Sequence, residues 1–494
     1  MDTLNERFVE LTKAYKALTD EEIRNNYLQY GHPDGKQSFS VGIALPKIMI
    51  TEGNGKYILL MYGGLLGVLL PYIVGKWWYG SQRYTKEKIL VASASNLFRE
   101  YKNDLTVGRI VNVLSSGEEF RELQSPEQVE SGLAKLERKV LIEMASLPGA
   151  KEREEIKQIE DPARRRALAL LWAYLGRIDL HDDKLNADKY AVAPIALALN
   201  ESFSLISLAF FDLEPLLGSY KASQDIIQAV IPGSSPLLQL PYFDEKVIKS
   251  IERKSKYVGS HLTVQEFMKI SEEKRRAMTV GAGLLSEEKY AAAVSVARQI
   301  PVLEISKAFF KVVGEKVITP SSLVQLVLKA RFIPPGATDV PAVTAADVED
   351  VDPDEDDIDA FVGRRASKKN GDEGQPPLAY APYLCRDYAP KWNIVVANAM
   401  RSNLAMPPFR FEQFDKPIFT ESGDYTYNMQ TLRVQFQGPA QVEDFNFSIY
   451  VVCDSYIGFD SRVDVTLSVQ EPAKAVALEE DDISEPDEGA FSFP

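Results

Sequence analysis

Glycine spacing in this sequence does not fit phosphate or dinucleotide binding. A phosphate-binding loop needs Ser or Thr directly after its Gly-Lys pair, but Gln, Tyr and Trp follow the pairs that end at Lys36, Lys56 and Lys76. The segment from Gly281 to Ser286 imitates part of a dinucleotide-binding fingerprint, yet it lacks the third glycine and follows a helical pattern instead of a strand. We interpret it as a helix junction.

Metal ligation and nucleophilic catalysis have equally few candidates. Three histidines occur, and the best acidic cluster around one of them contains Asp179, His181, Asp182 and Asp183. This cluster could bind a metal, but an aspartate-rich helix cap also accounts for it and is preferred. Neither Cys385 nor Cys453 has a histidine nearby in sequence, and Cys453 lies in a strand pattern that favours a buried structural thiol. We therefore predict no catalytic constellation, no metal site and no cofactor.

Composition narrows the class of protein further. A chain of 494 residues holds about three to four folded units. Its 56 basic and 71 acidic residues give a net charge of -15, the wrong sign for a protein that neutralises nucleic-acid phosphates. Two cysteines exclude a disulfide-stapled scaffold and a four-cysteine zinc site. The folded units must therefore rest on ordinary hydrophobic cores, and no nucleic-acid partner is predicted.

One segment has the length and composition of a transmembrane helix. No charged residue occurs from Tyr57 to Gly75, and aromatic residues flank this run on both sides, as in membrane-interface belts. We predict a span over residues 57–78. A signal peptide would begin near the first residue and end in small residues, so it fails on position. A second apolar run, residues 195–211, is interrupted by Asn200 and Glu201 and is interpreted as a buried helix of a soluble domain.

Basic residues predict the orientation of this span. Residues 37–56 contain two basic side chains and residues 76–95 contain four, so the large C-terminal part is expected on the cytosolic side. Within the span, Gly63 and Gly67 have the small-x-x-x-small spacing that lets another membrane helix approach closely. Glycines also occur in membrane helices without such a role, and that alternative stays open.

The remaining chain falls into segments with different periodicity. Residues 1–35 hold two short amphipathic helices that bury too little surface to fold alone. In the linker 36–56, Phe39, Val41, Ile43 and Leu45 alternate with small or polar residues, which predicts a strand that pairs either with the N-terminal helices or with the sheet edge of a partner. Helical patterns dominate residues 79–300, and strand patterns dominate residues 301–470, which predicts a β-sandwich of immunoglobulin or fibronectin type.

Two acidic segments stand outside these folded units. Residues 334–377 are rich in proline, glycine and charge and are predicted to be a disordered insertion in the sandwich. The tail, residues 471–494, is predicted to be a solvated end or a contact for a basic partner. Its Ser484 has the Ser-x-x-acidic spacing that acidophilic kinases prefer. The proposed contact residues of the tail are Glu479, Glu480, Asp481, Asp482, Ser484, Glu485, Asp487 and Glu488.

Residues 8–31 (FVELTKAYKALTDEEIRNNYLQYG) resemble the second half of a J-domain. This segment is followed by a membrane helix, a helical domain, a sandwich and an acidic tail, and that order resembles the Sec63 family. Three further segments agree: residues 237–245 (LLQLPYFDE) resemble the helical Brl domain of the family, and residues 381–392 (APYLCRDYAPKW) and 448–460 (SIYVVCDSYIGFD) resemble its sandwich. We refer to these three segments as the first, middle and last family motifs.

The resemblance also has two departures. Family members begin with two further membrane segments and the first half of the J-domain, so the chain is expected to be N-terminally truncated. The His-Pro-Asp triplet that activates the chaperone lies between the second and third helices of a J-domain, whereas His32-Pro33-Asp34 follows the fourth helix here and is interpreted as a turn.

The resemblance implies a membrane-anchored multidomain fold and a non-enzymatic role in protein translocation at the endoplasmic reticulum membrane. The N-terminus would be lumenal, where the J-domain recruits the Hsp-seventy chaperone BiP, and the C-terminal domains would be cytosolic. Implied partners are the alpha, beta and gamma subunits of the Sec channel, the basic Sec sixty-two subunit and the translocating polypeptides. The alternative is a membrane-anchored co-chaperone or lipid-handling enzyme of the same membrane that does not bind the channel.

Overall fold

The computed structural model describes residues 2–31, 55–123, 132–255, 261–315, 317–350, 375–401 and 403–471. The chain divides into two compact units, Met1–Gln82 and Arg83–Pro494. The predicted strand with Phe39, Val41, Ile43 and Leu45, the His32-Pro33-Asp34 turn and the acidic tail residues from Glu479 to Glu488 lie outside the described residues.

The described part of the first unit is helical. It contains helix α1 (Asp2–Thr19), helix α2 (Glu21–Tyr30), helix α3 (Gly55–Gly64), a π-helical turn (Leu65–Leu69) and helix α4 (Leu70–Ser81). The side chain of Asp20 caps α2 by accepting a hydrogen bond from the N–H of Glu22 at 3.2 Å. Gly31 ends α2 with φ +73° and donates its N–H to the carbonyl of Tyr27.

The helix that spans α3, the π-helical turn and α4 contains Pro71. Proline has no N–H to donate to the preceding turn. The wider π-helical turn lies just before it, where the N–H of Leu70 bonds to the carbonyl of Leu65. Within this helix, Leu59–Ser81 is long and apolar enough to span a membrane, and none of its most apolar window is buried. It is therefore a candidate span, in agreement with the prediction.

The second unit begins with a helical module. Its described helices are α5 (Val91–Glu100), α6 (Val107–Leu114), α7 (Glu119–Leu123), α8 (Leu133–Glu143), α9 (Ala150–Glu154), α10 (Pro162–Leu175), α11 (Asp183–Ala209), α12 (Leu213–Gln228), α13 (Glu245–Ser255), α14 (Val264–Lys269), α15 (Glu272–Thr279) and α16 (Glu287–Gln299). Short 3-10 turns occur at Glu155–Gln158 and Pro236–Gln239.

Helix α10 is the centre of the helical core. The side chain of Asp161 accepts hydrogen bonds from the N–H groups of Ala163 and Arg164, and Pro162 has no N–H that needs an acceptor. Both features favour a helix that begins at Pro162. Every residue from Arg166 to Leu175 is buried. The indole N–H of Trp172 donates to the side chain of Asn112 on α6 at 3.1 Å, which pairs two buried polar groups.

Helix α11 also has the hydropathy of a membrane span, but 56% of its most apolar window is buried. This burial agrees with the interpretation of residues 195–211 as a buried helix of a soluble domain. Its N-terminus explains the acidic cluster around His181, because the side chain of Asp182 accepts hydrogen bonds from the N–H groups of Lys184 and Leu185. The cluster is thus a helix cap, as preferred.

Seven strands follow among the described residues, and they form two antiparallel sheets. They are β1 (Leu303–Lys311), β2 (Leu323–Phe332), β3 (Trp392–Asn398), β4 (Phe409–Phe411), β5 (Gln430–Gln437), β6 (Asp444–Cys453) and β7 (Ser461–Ser468). The strand orders are β1-β2-β5 and β4-β3-β6-β7. Leu328 of β2, Ile394 of β3 and Ile449 of β6 are fully buried in one cluster, so the two sheets face each other across a shared core.

The structure corrects the predicted disordered insertion at its beginning. Residues 334–350 have a described conformation and include a short helix, α17 (Ala345–Val348), that opens with a capping box of Thr344 and Asp347. The side chain of Asp350, only 2% exposed, contacts Lys311 at 2.5 Å, Lys329 at 3.1 Å and Arg433 at 2.7 Å. Because these ion pairs hold the segment on the sheet, the prediction of disorder from residue 334 is wrong for residues 334–350.

Candidate functional site

Helix α12 packs on the outer face of the four-stranded sheet and joins the helical module to the sandwich. Leu213, Leu216 and Tyr220 of α12 form one buried cluster with Val395 and Ala397 of β3. Side chains alternate along a strand, so Ile394 and Val396 point the other way, into the sandwich core. Strand β3 is therefore covered on both faces, which explains its uninterrupted apolar run.

Two glutamines near the end of α12 bind the main chain of the sandwich. The side-chain amide of Gln224 donates to the carbonyl of Cys453 at 2.7 Å and to the carboxylate of Asp460 at 2.8 Å. One helical turn later, the amide of Gln228 donates to the carbonyl of Ser455 at 2.7 Å and, more weakly, to the carbonyl of Tyr380 at 3.2 Å. These contacts hold the β6–β7 loop, which carries most of the last family motif, against the helix.

The first family motif reaches the same loop through Gln239. Its amide N–H donates to the carbonyl of Ile457 at 2.9 Å, and its amide oxygen accepts from the N–H of Ile457 at 3.2 Å. Gln239 is 4% exposed, so both bonds are shielded from water. The first and last motifs are therefore paired by a two-point contact that fixes their register.

The middle family motif crosses between the two cores. The hydroxyl of Tyr388 donates to the carboxylate of Asp454 at 2.8 Å, and the N–H of Lys391 donates to the same carboxylate at 3.1 Å. Leu384 inserts into the helical core, where it is 8% exposed. The guanidinium of Arg177 lies 4.3 Å from the ring centroid of Tyr383. All three motifs thus meet in one place, which we call the junction.

Arg177 also stabilises the end of α12. It donates to the carbonyls of Gln228, Ala229 and Leu238, at 2.8 to 3.0 Å. A cation at a helix C-terminus satisfies carbonyls that have no partner within the helix and opposes the negative end of the helix dipole. Burial lowers the pKa of Arg177, but the neighbouring tyrosine groups and its carbonyl partners favour the charged form.

Burial raises the pKa of three aspartates at the junction. It raises that of Asp460 to about 6 despite the hydrogen bond from Gln224. The pKa of Asp454 lies above the ordinary aspartate value because burial outweighs the hydrogen bonds from Ser455, Tyr388 and Lys391. The pKa of Asp225 on α12 lies well above the ordinary value because burial outweighs the favourable charge of Lys221. Burial also raises the pKa of the Cys453 thiol, which fits the predicted structural role of this cysteine.

None of the residues proposed from sequence as partner contacts belongs to the three family motifs. Gly63 and Gly67 lie on the candidate span in the first unit, and no atom lies within 4 Å of the position that a Cβ would take at either glycine. The candidate strand and tail residues lie outside the described part of the chain. The junction glutamines were not predicted, since an isolated glutamine has no sequence signature. The resemblance motifs were the only signal that pointed to this region.

The chain combines a candidate membrane helix in one unit with a helical module joined to a two-sheet sandwich in the other. Residues 88–466 match the family model described as the Sec63 Brl domain. Because the match covers most of the sequence, the chain belongs to the Sec63 family. The recognition that the sequence motifs supported is confirmed.

Several curated proteins are similar over long stretches. Translocation protein sec63 of Schizosaccharomyces pombe is 26% identical over 478 residues, which are 95% of this chain and 68% of the relative. Protein translocation protein SEC63 of Saccharomyces cerevisiae is 27% identical over 495 residues, 94% of this chain and 66% of the relative. DnaJ protein ERDJ2B of Arabidopsis thaliana is 30% identical over 323 residues, 61% of this chain and 48% of the relative. The chain thus spans about two thirds of the yeast relatives and half of the plant one.

Proposed function

We propose that this chain is a non-enzymatic, membrane-anchored subunit of a protein-translocation complex in the endoplasmic reticulum. The observation that carries the proposal is the family match over residues 88–466, together with yeast relatives that are named translocation proteins. The exposed candidate span Leu59–Ser81 supplies the anchor. The helical module and the sandwich, held together by the junction, supply a rigid body from which loops contact a Sec channel.

The proposal also assigns a role to helices α1 and α2 and to the sandwich. Helices α1 and α2 form the second half of a lumenal J-domain that recruits BiP, which is supported by the DnaJ name of the Arabidopsis relative. The apolar residues of these helices, Phe8, Leu11, Tyr15 and Leu18, are all exposed and remain available for packing. The sandwich is of fibronectin type III class, which the β1-β2-β5 and β4-β3-β6-β7 orders support, and it serves as the main cytosolic docking module.

Two further contacts are proposed for segments outside the described residues. The lumenal strand with Phe39, Val41, Ile43 and Leu45 adds to a sheet edge of a channel subunit. The acidic tail, with seven carboxylates between Glu479 and Glu488, binds the basic Sec sixty-two subunit, and phosphorylation of Ser484 would strengthen this binding. Translocating polypeptides pass through the channel beside these contacts.

The membrane helix gives the sharpest test. The open surface at Gly63 and Gly67 lets a channel helix approach closely, and two leucines would fill this surface without breaking the helix. We expect Gly63→Leu/Gly67→Leu to lower the recovery of channel subunits in a pulldown from detergent-solubilised membranes. Gly80→Leu, near the C-terminal end of the candidate span and 13 residues beyond Gly67, is the matched control and should leave recovery unchanged.

The same pulldown tests the function as a whole. Stoichiometric channel subunits with the unaltered chain support a translocation subunit. Their absence would overturn the proposal and favour an anchored co-chaperone or lipid-handling enzyme. Normal recovery with the double leucine variant would contradict only the helix contact.

A further inference from the structure

Helix α5 presents exposed apolar side chains at the start of the second unit. Val91 and Phe98 stand two helical turns apart on one face of α5 and are 47% and 59% exposed. The ring of Phe98 stacks on Phe210, the residue after α11, with 5.7 Å between the ring centroids. Phe210 and the next residue, Phe211, are themselves 49% and 47% exposed. We call these four side chains the α5 surface.

Contacts with the rest of the molecule hold the rings of the α5 surface in place. Phe210 also stacks on Tyr101, with 4.8 Å between the centroids, and the hydroxyl of Tyr101 donates to the carboxylate of Asp212 at 2.7 Å. Phe211 has a φ of +57°, which a bulky residue rarely adopts, and its carbonyl accepts from the N–H of Leu404 at 3.1 Å. The three phenylalanines expose roughly 300 Å², at ~200 Å² for a whole side chain, and an apolar patch of this size is often an interaction site.

Chain connectivity keeps the α5 surface close to the end of the candidate span. The span ends at Ser81, two residues before Arg83. The N–H of Val91 donates to the carbonyl of Arg83 at 2.9 Å, which closes the loop between them. Two residues reach at most about 7 Å, and α5 rises about 10 Å from Val91 to Phe98. Whatever angle the span and the second unit adopt, Phe98 therefore lies within about 25 Å of the end of the span.

Charged residues around the α5 surface favour an anionic partner. Two of the charged residues between positions 83 and 104 are in ion pairs, Arg83 with Glu122 and Glu100 with Arg164. The others form no ion pair with a described residue, and they are four basic and two acidic residues: Lys86, Lys88, Arg99, Lys102, Glu87 and Asp104. Arg99 and Lys102 are exposed and directly follow two of the stacked aromatic residues. Anionic lipid head groups of the cytosolic leaflet attract such cations.

We propose that the α5 surface lies on the membrane, with Phe98, Phe210 and Phe211 in the interfacial layer and Arg99 and Lys102 at anionic lipid head groups. Aromatic rings are favoured at this depth, where their apolar faces leave water while neighbouring cations stay at the head groups. Lipid is favoured over a protein as the occupant, because the short connection to the span keeps head groups within reach of the surface. The inference rests on the proposed membrane anchor.

The experiment uses the full chain in vesicles of phosphatidylcholine with about 20% phosphatidylinositol. Ser95 lies on the exposed face of α5, between the two apolar residues, and Ser95→Cys carries an environment-sensitive fluorophore. Cys385 is exposed and is replaced by Ser, whereas Cys453 is buried and stays. The matched control label is Ser422→Cys, at an exposed serine in a turn of the sandwich. We expect spin-labelled lipid to quench the Ser95→Cys label about threefold more than the control label.

Two variants locate the contact. Phe98→Ser should lower the quenching of the Ser95→Cys label about twofold, whereas Ile142→Ser, at an isoleucine of α8 that is 66% exposed, should not. Arg99→Glu/Lys102→Glu changes two exposed side chains without touching a core. This double variant should lower the quenching in the anionic vesicles and leave it nearly unchanged in pure phosphatidylcholine.

Flotation of the vesicles after an alkaline carbonate wash tests the anchor separately. Loss of the chain from the floated vesicles would overturn the anchor and this inference together. Retention of the chain with equal quenching of the two labels would overturn this inference alone. Protection of the Ser95→Cys label from aqueous iodide in native membranes, without quenching by lipid in vesicles, would also overturn it and assign the α5 surface to a protein partner.

Discussion

Asp225 links burial to pH dependence at the scale of a single residue. It lies between Gln224 and the end of α12, and burial raises its pKa well above the ordinary value of about 4. A raised pKa in the folded state means that folding favours the protonated carboxyl. Its contribution to stability is complete below pH ~4 and is lost as the pH rises toward the folded-state pKa.

The variant Asp225→Asn removes this titration. We expect the stability of the unaltered chain, relative to Asp225→Asn, to fall with rising pH above ~4 by at most about 1.4 kcal/mol per pH unit. Thermal unfolding of both chains in detergent from pH 4 to pH 8 measures the difference. Asp339→Asn, at an exposed aspartate, is the control. A constant difference across this range would show that Asp225 titrates normally in the folded protein.

Asp350 acts at the scale of the β1-β2-β5 sheet. Lys311, Lys329 and Arg433 stand on its three strands, and the carboxylate contacts all three. Burial alone would raise the pKa of Asp350, but the hydrogen bonds from Lys311 and Lys329 and the charge of Arg433 lower it. Its stabilising effect is therefore present above pH ~4 and is lost as the pH falls through the lowered pKa.

Neutralising this carboxylate should loosen the sheet. We expect Asp350→Asn to destabilise the chain by about 3 kcal/mol at neutral pH, because it leaves partly buried cations without their shared anion. Differential scanning fluorimetry in detergent checks this value, and Asp339→Asn in the same segment again serves as control. A melting temperature equal to that of the control would show that the three cations find other partners.

Sequence patterns predicted the elements better than the contacts between them. Strand patterns were recognised over residues 301–470 where residues alternate or form apolar runs, whereas β4 is only three residues long and carries too short a pattern. The ordered start of the insertion was missed because Asp350 belongs to an acidic run, and nothing in the sequence distinguishes it from the neighbouring acidic residues. Gln224, Gln228 and Gln239 bind main-chain groups distant in sequence, which no local pattern reveals.

The middle family motif determines whether the second unit behaves as one body. The helical core around α10 and the sandwich core are separate clusters of buried side chains. Leu384 belongs to the helical core, although it lies eight residues before β3 begins, at Trp392. Polar contacts at the junction hold the two cores in a fixed relative position. Leu384 adds apolar contact, because it buries a side chain of the segment before β3 in the helical core. Its removal should therefore affect the coupling of the cores more than the packing within either.

Leu384→Ala tests this coupling at the scale of the whole molecule. The cavity should cost about 2 to 5 kcal/mol. We expect hydrogen exchange at α10 and β3 to follow one common rate in the unaltered chain and two different rates in the variant. Mass spectrometry of the full chain in detergent follows both peptides. Leu378→Ala, at an exposed leucine before the same motif, should change neither rate. If α10 and β3 still exchange together in Leu384→Ala, the remaining contacts suffice to couple the cores, namely the hydrogen bonds of Gln224, Gln228 and Gln239 and the apolar packing of α12 on β3.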